Sequence, residues 1–547
     1  MSKKKEKQNT THDRNSALTT YIRIGIIALA ILLQLGIMMF TTYFLRANAA
    51  PLYVALDILA MVTVFSLINR HDSSAYRLAW IVVVLMTPIV GMALYWLWGR
   101  VDFNKKEKGA LNTAFENGFM KLPANKPQLN QFTARYPNDA PYVHSLAKAQ
   151  YPLYTDTAAQ YFPIGEEYFE RLIGDMERAE RFIFIEYFIV ATGQLWNRVH
   201  ELLLRKIRQG VEVRLLYDDV GCFFKIPDKF DKKLEAEGFK VAVFSPAHRF
   251  VSSFYLNYRN HEKIVVIDGQ VGYAGGVNLA DEYVNIDSKL GHWKDVGIRL
   301  EGSAVRSLSV IFFQMWNIAT RNQEGDYSDY LIEKPVEAKG YFQPYADGPY
   351  NNPKNPALDL IRQAAGGARQ YLWLTTPYLV IDQELSSTLC LAARGGVDVR
   401  ICTPAICDHW YVGLVNRHNY RHLVKNGVQI YEYTPGFIHG KLMLWDDRCA
   451  TVGSVNLDFR SLFLHYENGV LICDAPVVAD IRRDIKAKPF QYLSVCRRHH
   501  AGVAVFDAVR FLDAVGHRHE GDRVHISVSF DYKFTCHTNR LWFPNLY

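Results

Sequence analysis

The sequence predicts an α/β protein of two similar halves, each built on a mixed sheet and related by a pseudo-twofold axis, behind an N-terminal transmembrane helical anchor. Two observations predict the duplication. The blocks HEKIVVID (261–268) and HGKLMLWD (439–446) repeat one pattern, and each leads to a glycine turn ending in asparagine, GGVN (275–278) and GSVN (453–456), with identical histidine-to-asparagine spacing. Upstream, RQGVEVRLLYDD (208–219) is echoed by RGGVDVRICTPA (394–405), and an apolar strand precedes each, RFIFIEYFIV and QYLWLTTPYLV. Such self-similarity marks a repeated unit. The third observation is apolar character concentrated in the first hundred residues, in a chain of 547 that is 49% hydrophobic.

Taken in order, residues 1–14 (MSKKKEKQNTTHDR) are polar and basic, and an apolar run follows from Ile22 to Leu45, broken only by Arg23 and Gln34. At about 1.5 Å per residue it is long enough for a bilayer core of about 30 Å. A cleaved signal peptide is the alternative, with Ala47-Asn48-Ala49-Ala50 a faint cleavage-site match. Further apolar stretches at Pro51–Ile68 and Leu78–Trp98 favour a multi-pass anchor in the cell membrane, of two or three helices over 1–100. Lys3, Lys4, Lys5 and Lys7 favour a cytoplasmic N-terminus, and Arg100, Lys105, Lys106 and Lys108 follow the third stretch. Pro88 and Gly91 allow that stretch to be a broken, re-entrant helix. Residues 101–150 read as an irregular polar linker or a membrane-proximal cap. From there alternating strands and helices set in, as a first half over 151–335 and a second over 336–485, with an atypical His-, Arg- and aromatic-rich tail over 486–547.

In each motif histidine and lysine are two residues apart, so on a strand both side chains share a face. The apolar runs IVVI and LMLW suit strands buried between helix layers. Two such strands brought together offer two histidines and two lysines to one point. A phosphodiester reaction needs this set: a nucleophile, an acid for the leaving alkoxide, and cations for the non-bridging oxygens. The candidate catalytic set is therefore His261, Lys263 and Asp268 with His439, Lys441 and Asp446. The two aspartates are read as supports of the turn. Asn278 and Asn456 are candidates for binding phosphate oxygens. Asp295 (WKDVGIRLEG) and Glu467 (HYENGVLICD) occupy matching places and are candidates to orient the histidines, with the pairing left open. His418 and His465 read as ordinary side chains.

The eight cysteines form no CxxC pair and read as reduced core thiols, so neither a disulfide framework nor a metal site is expected. The net charge of +7 fits an anionic membrane or phosphate substrate without deciding between them.

These motifs resemble those of the phospholipase D superfamily. From about residue 60 to 485 the chain resembles bacterial cardiolipin synthases, through TPIVGMALYWLWGR, IEYFI, QPYADGP, TTPYLV, and the DEY and NLDFRS that follow the two motifs. The resemblance implies a duplicated phospholipase D-type fold and transfer of a phosphatidyl group between two phosphatidylglycerols, through a phosphohistidine, with release of glycerol. By the same analogy His261 is the nucleophile and His439 the general acid. It implies no cofactor, and partners that are phosphatidylglycerol and anionic membrane lipids rather than nucleic acid. Two alternatives stand beside it: a hydrolase or nuclease using water as acceptor, and a membrane scaffold with a dead fold. A dead site has no chemical reason to keep His, Lys and Asn in both halves.

Overall fold

In the computed structural model, residues 36, 50–70, 74–99, 105–245, 258–287, 289–321, 326–351 and 354–487 are described. The apolar run Ile22–Leu45, apart from Gly36, and nearly all of the tail lie outside them.

The first half contributes β1 (Thr157–Phe162), β2 (Phe182–Tyr187), β3 (Glu212–Asp218), β4 (Lys240–Phe244), β5 (Arg259–Asn260), β6 (Ile264–Ile267), β7 (Val271–Gly275), β8 (His292–Lys294) and β9 (Gly297–Gly302). The second contributes β10 (Tyr341–Asp347), β11 (Tyr371–Thr375), β12 (Leu379–Val380), β13 (Asp398–Pro404), β14 (Gln429–Tyr433), β15 (Gly436–Ile438), β16 (Lys441–Trp445), β17 (Cys449–Gly453), β18 (Leu457–Asp458) and β19 (His465–Cys473). The first sheet runs β1-β9-β7-β6-β2-β3-β4 and the second β10-β19-β17-β16-β11-β13-β14, the same order twice. In each, three strands are parallel (β2, β3, β4; β11, β13, β14) and the rest antiparallel. The mixed sheets expected from the sequence are present in both halves.

Apolar runs such as FIFIEY in β2 and KLMLW in β16 are buried along their whole length, because both faces of each sheet are covered. One apolar core joins the halves. It includes Phe184, Val266 and Ile298 of the first sheet, Leu308 and Phe312 of helix Val305–Thr320, and Leu372, Leu444 and Ile472 of the second sheet. The far face of the first sheet packs Ile183, Ile185 and Val265 with Phe169, Leu172 and Val199, from helices Gly165–Glu177 and Gln194–Arg208. At about 1.5–3 kcal/mol for each fully buried large apolar side chain, these layers hold the strand ends that carry the motifs.

Two short pairings cross between halves and position the site. β5, just before His261, pairs in parallel with the start of β19. β15, just before His439, pairs in parallel with β8 of the first half.

Two expectations are corrected. Residues 105–148 are not an irregular linker but three helices, Lys105–Met120, Lys126–Arg135 and Ala140–Lys148, in which Leu111 and Phe115, and Tyr142 and Leu146, stand one helical turn apart and with Phe132 reach the core. The thiols are not all reduced: Cys449 and Cys473 are direct partners across β17 and β19, 4.3 Å apart at Cα, and are joined by a disulfide. Cys222, Cys390, Cys402 and Cys407 are not in disulfides. Among the described residues no helix is long and apolar enough to cross a membrane, and the first expected span, Ile22–Leu45, lies outside them apart from Gly36. The second apolar stretch is helix α1 (Ala50–Ile68), interrupted by Asp57, while the third is broken at Thr87–Pro88 into α2 (Ser74–Met86) and α3 (Pro88–Leu94). The three pack through Ala60, Leu67, Val84 and Met92, and Tyr76 of α2 stacks on Phe459 at 5.3 Å.

Candidate active site

The crossing strands bring each histidine to a carboxylate of the opposite half. His261 donates its backbone N–H to Tyr466 O at 2.9 Å, which sets its ring beside the next residue, Glu467. His261 Nδ1 lies 2.8 Å from Glu467 Oε2. In the mirrored arrangement His439 N–H donates to Lys294 O at 2.7 Å, and His439 Nδ1 lies 2.6 Å from Asp295 Oδ2. Both carboxylates are fully buried and both histidines are 6% exposed. The pairing that the sequence left open is thus crossed, Glu467 on His261 and Asp295 on His439.

Of the four histidines and lysines of the motifs, only Lys441 sits on a strand. His261 and Lys263 precede β6, and Lys441 is the first residue of β16. The chain is irregular there because its N–H groups are taken by the other half: Lys263 N–H donates to Asn468 Oδ1 at 3.0 Å. Each ammonium folds back on its histidine. Lys263 Nζ donates to His261 O at 2.5 Å, while Lys441 Nζ donates to His439 O and lies 2.9 Å from His439 Nε2.

Burial and like charge govern the electrostatics. Burial, then the charges of Lys263, Lys441 and His439, holds His261 well below the usual imidazole range. Burial and Lys441 lower His439 to about 4, against the opposing pull of Asp295. Burial also lowers Lys263 to about 7 and Lys441 to about 8. Burial alone would raise Asp295, but His439, Lys441 and the N–H of Val296 outweigh it and hold the carboxylate ionised. Without an anion the site therefore holds neutral imidazoles, with two lysines beside them whose charge the carboxylates Asp295 and Glu467 offset.

The other predicted residues divide. Asp268 and Asp446 are not at the histidines. They lie beyond the far ends of β6 and β16, where Asp268 accepts the N–H groups of Glu180, Arg181 and Phe182, each at 2.8 Å, and Asp446 those of Arg369, Gln370 and Tyr371 at 2.8–3.0 Å. Both adopt φ of 51°, so they clamp a tight turn. This fits their reading as supports of the turn, since a strand of four or five residues, about 13–17 Å long, stands between them and the histidines. Asn278 accepts from Ile189 N–H and donates to Tyr283 OH, leaving one amide hydrogen for a ligand. Asn456 Oδ1 is buried without a partner.

Sequence reasoning missed the groups that hold the carboxylates. Ser454 Oγ donates to Glu467 Oε2 at 2.5 Å, and Ser461 Oγ donates to Oε1. Gly276 stands where Ser454 stands in the other half, and a methyl there would overlap the Asp295 carboxylate. The GGVN/GSVN difference was the available signal. Tyr283, Trp293 and Phe437 pack around His439 at 5.4–5.9 Å between ring centres, and Phe188 packs on His261 at 4.9 Å. Behind His261 a buried pair, Glu186 and Glu262, is pushed up by burial, Glu186 to about 8. His418 lies exposed on helix Trp410–Lys425, as expected of an ordinary side chain, but His465 packs beside His261, its ring centre 5.4 Å away and tilted 40°.

The family description "Cardiolipin synthase, PLD-like domain" matches residues 172–316 and 361–488, one segment in each half, and "Phospholipase_D-nuclease N-terminal" matches 55–100. A cardiolipin synthase of Oceanobacillus iheyensis is 32% identical over 443 residues, 79% of this chain and 90% of that one. An uncharacterised protein of Streptococcus mutans is 37% identical over 433 residues, 78% of this chain and 92% of its own. The crystal structure of phosphatidylserine synthase from Haemophilus influenzae shares the fold, with a TM-score of 0.51 at 14% identity over 65% of this chain and 92% of that one. Taken with the repeated motifs that the matched segments contain, the likeness across nine-tenths of a cardiolipin synthase shows that this chain belongs to the cardiolipin synthase family.

Proposed function

We propose that the chain transfers a phosphatidyl group from one phosphatidylglycerol to a hydroxyl of a second, forming cardiolipin and releasing glycerol. The observation that carries this reading is the crossed pair of buried histidine–carboxylate contacts with two lysines alongside. His261, its Nδ1–H directed to Glu467, has its Nε2 lone pair free to attack phosphorus. As the P–N bond forms and the P–O bond to glycerol breaks, a proton passes from the His439 imidazolium to the departing oxygen. Lys263 and Lys441 balance the charge on the non-bridging oxygens, and Asn278 has an N–H to add. In the second step the incoming hydroxyl gives its proton to His439 and attacks phosphorus, and His261 leaves with its lone pair. His439 is neutral in the free site. A bound phosphodiester anion offsets the lysine charges and raises its proton affinity, so substrate itself supplies the acid form.

We also propose that the protein is membrane-bound. α1 and α2 present Val54, Ile58, Met61, Phe65, Leu78 and Leu85 outward, each more than half exposed, and an apolar face of this kind needs a cover. The apolar run Ile22–Leu45 precedes it. The test is purified protein with labelled phosphatidylglycerol in mixed micelles. Equimolar cardiolipin and glycerol are expected, whereas phosphatidic acid without cardiolipin would replace this reading with a hydrolase.

A further inference from the structure

The two halves differ at one place beside the histidines. Two residues before each orienting carboxylate stands a ring that packs on the histidine the carboxylate serves: Trp293 on His439 at 5.6 Å, and His465 on His261 at 5.4 Å. One half uses an indole, the other an imidazole. Neither ring nitrogen of His465 has a hydrogen-bond partner among the described residues, although its side chain is only 11% exposed. Its Nδ1 lies 3.7 Å from Glu467 Oε1, too far for a hydrogen bond. Two ligand bonds of about 2.1 Å at a tetrahedral angle span about 3.4 Å, so that gap suits a metal ion between them. One ligand atom from each of His261, His465 and Glu467 lies within 4.8 Å of the others. Ser454 and Ser461 already hold the Glu467 carboxylate, as outer partners of a metal-binding carboxylate do.

We propose that His261, His465 and Glu467 form a capture site for a zinc-class divalent cation, which switches the enzyme off by taking its first histidine. Two imidazoles and a carboxylate are the donor set that such an ion prefers. Bound through Nδ1, the ion displaces the proton that His261 directs to Glu467 and draws density from the ring. Bound through Nε2, it occupies the lone pair that would attack phosphorus. Turnover stops in either case. Lys263, Lys441 and Arg460 bear on His261 and oppose a dication, so the site suits reversible capture at raised metal concentration rather than a resident ion.

The test uses the full chain in detergent micelles. Cobalt chloride, titrated without substrate, is expected to give saturable visible d–d absorption of a nitrogen–oxygen site. Zinc chloride is expected to inhibit reversibly, with activity restored by a chelator. His465→Trp, which installs the ring of the other half, is expected to keep basal activity, lose the cobalt spectrum and need about 10-fold more zinc or higher for half-inhibition. His465→Asn serves the same purpose should the indole not fit. Absence of saturable cobalt absorption, or unchanged zinc sensitivity in both variants, would overturn the proposal. The cobalt spectrum needs no turnover, so it stands apart from the reading of the substrate.

Discussion

His261 and His439 sit in equivalent frames, and each depends on a single carboxylate for its orientation. Replacing either histidine by alanine is expected to lower turnover about 10³-fold or more, with the unfolding midpoint little changed. Glu467→Gln and Asp295→Asn keep the shape but remove the charge that selects the tautomer, and a loss of about 10²–10⁴-fold follows. Steady-state rates on micellar phosphatidylglycerol measure both, and wild-type rates in either histidine variant would sink the mechanism. The lysines set a pH dependence. Lys263 at about 7 and Lys441 at about 8 shed protons well below an ordinary lysine. As pH rises through that range the substrate anion loses its cationic partners, so KM should climb. A KM that stays flat from about pH 6 to about pH 9 would separate the lysines from phosphate binding.

The turns that follow the motifs do two different jobs at the level of elements. Asp268 and Asp446 clamp three N–H groups each at the far ends of β6 and β16. Asp268→Ala or Asp446→Ala is therefore expected to cost about 2–4 kcal/mol of stability, seen in denaturant unfolding, while activity per folded molecule persists. Gly276 works at the near end, where its missing side chain leaves room for the Asp295 carboxylate. Gly276→Ala should push that carboxylate off His439 and cut the rate with little loss of fold. Gly276→Ala at full activity would show that Asp295 has another way to sit. The helices of residues 105–148 carry a lesson of the same scale. Their polar composition hid a helical repeat of apolar contacts, and only the surfaces they meet, helix Val305–Thr320 of the first half and the second half, give those contacts value.

Each half is incomplete without the other at the scale of the whole molecule. β5 pairs with β19 and β15 with β8, so the first half orients the second half's histidine and the second half orients the first's. Asp295 raises the proton affinity of His439 across this boundary. Asp295→Asn should accordingly lower the His439 pKa further and leave His261 less affected, and Glu467→Gln should disturb chiefly His261. Histidine-selective nuclear magnetic resonance titration reads both, and equal shifts in the two rings would argue against the crossed arrangement.

The sequence by itself determined the duplication, the mixed sheets, the two histidines and lysines, and the matched carboxylates Asp295 and Glu467, because repeated residues at constant spacing survive on the page without any folding. Tertiary structure alone decided which carboxylate faces which histidine, that Cys449 and Cys473 are partners, and that His465 lies against His261. These are contacts between segments far apart in the chain or in opposite halves. A one-dimensional pattern records the period of a strand, but not which other strand lies beside it.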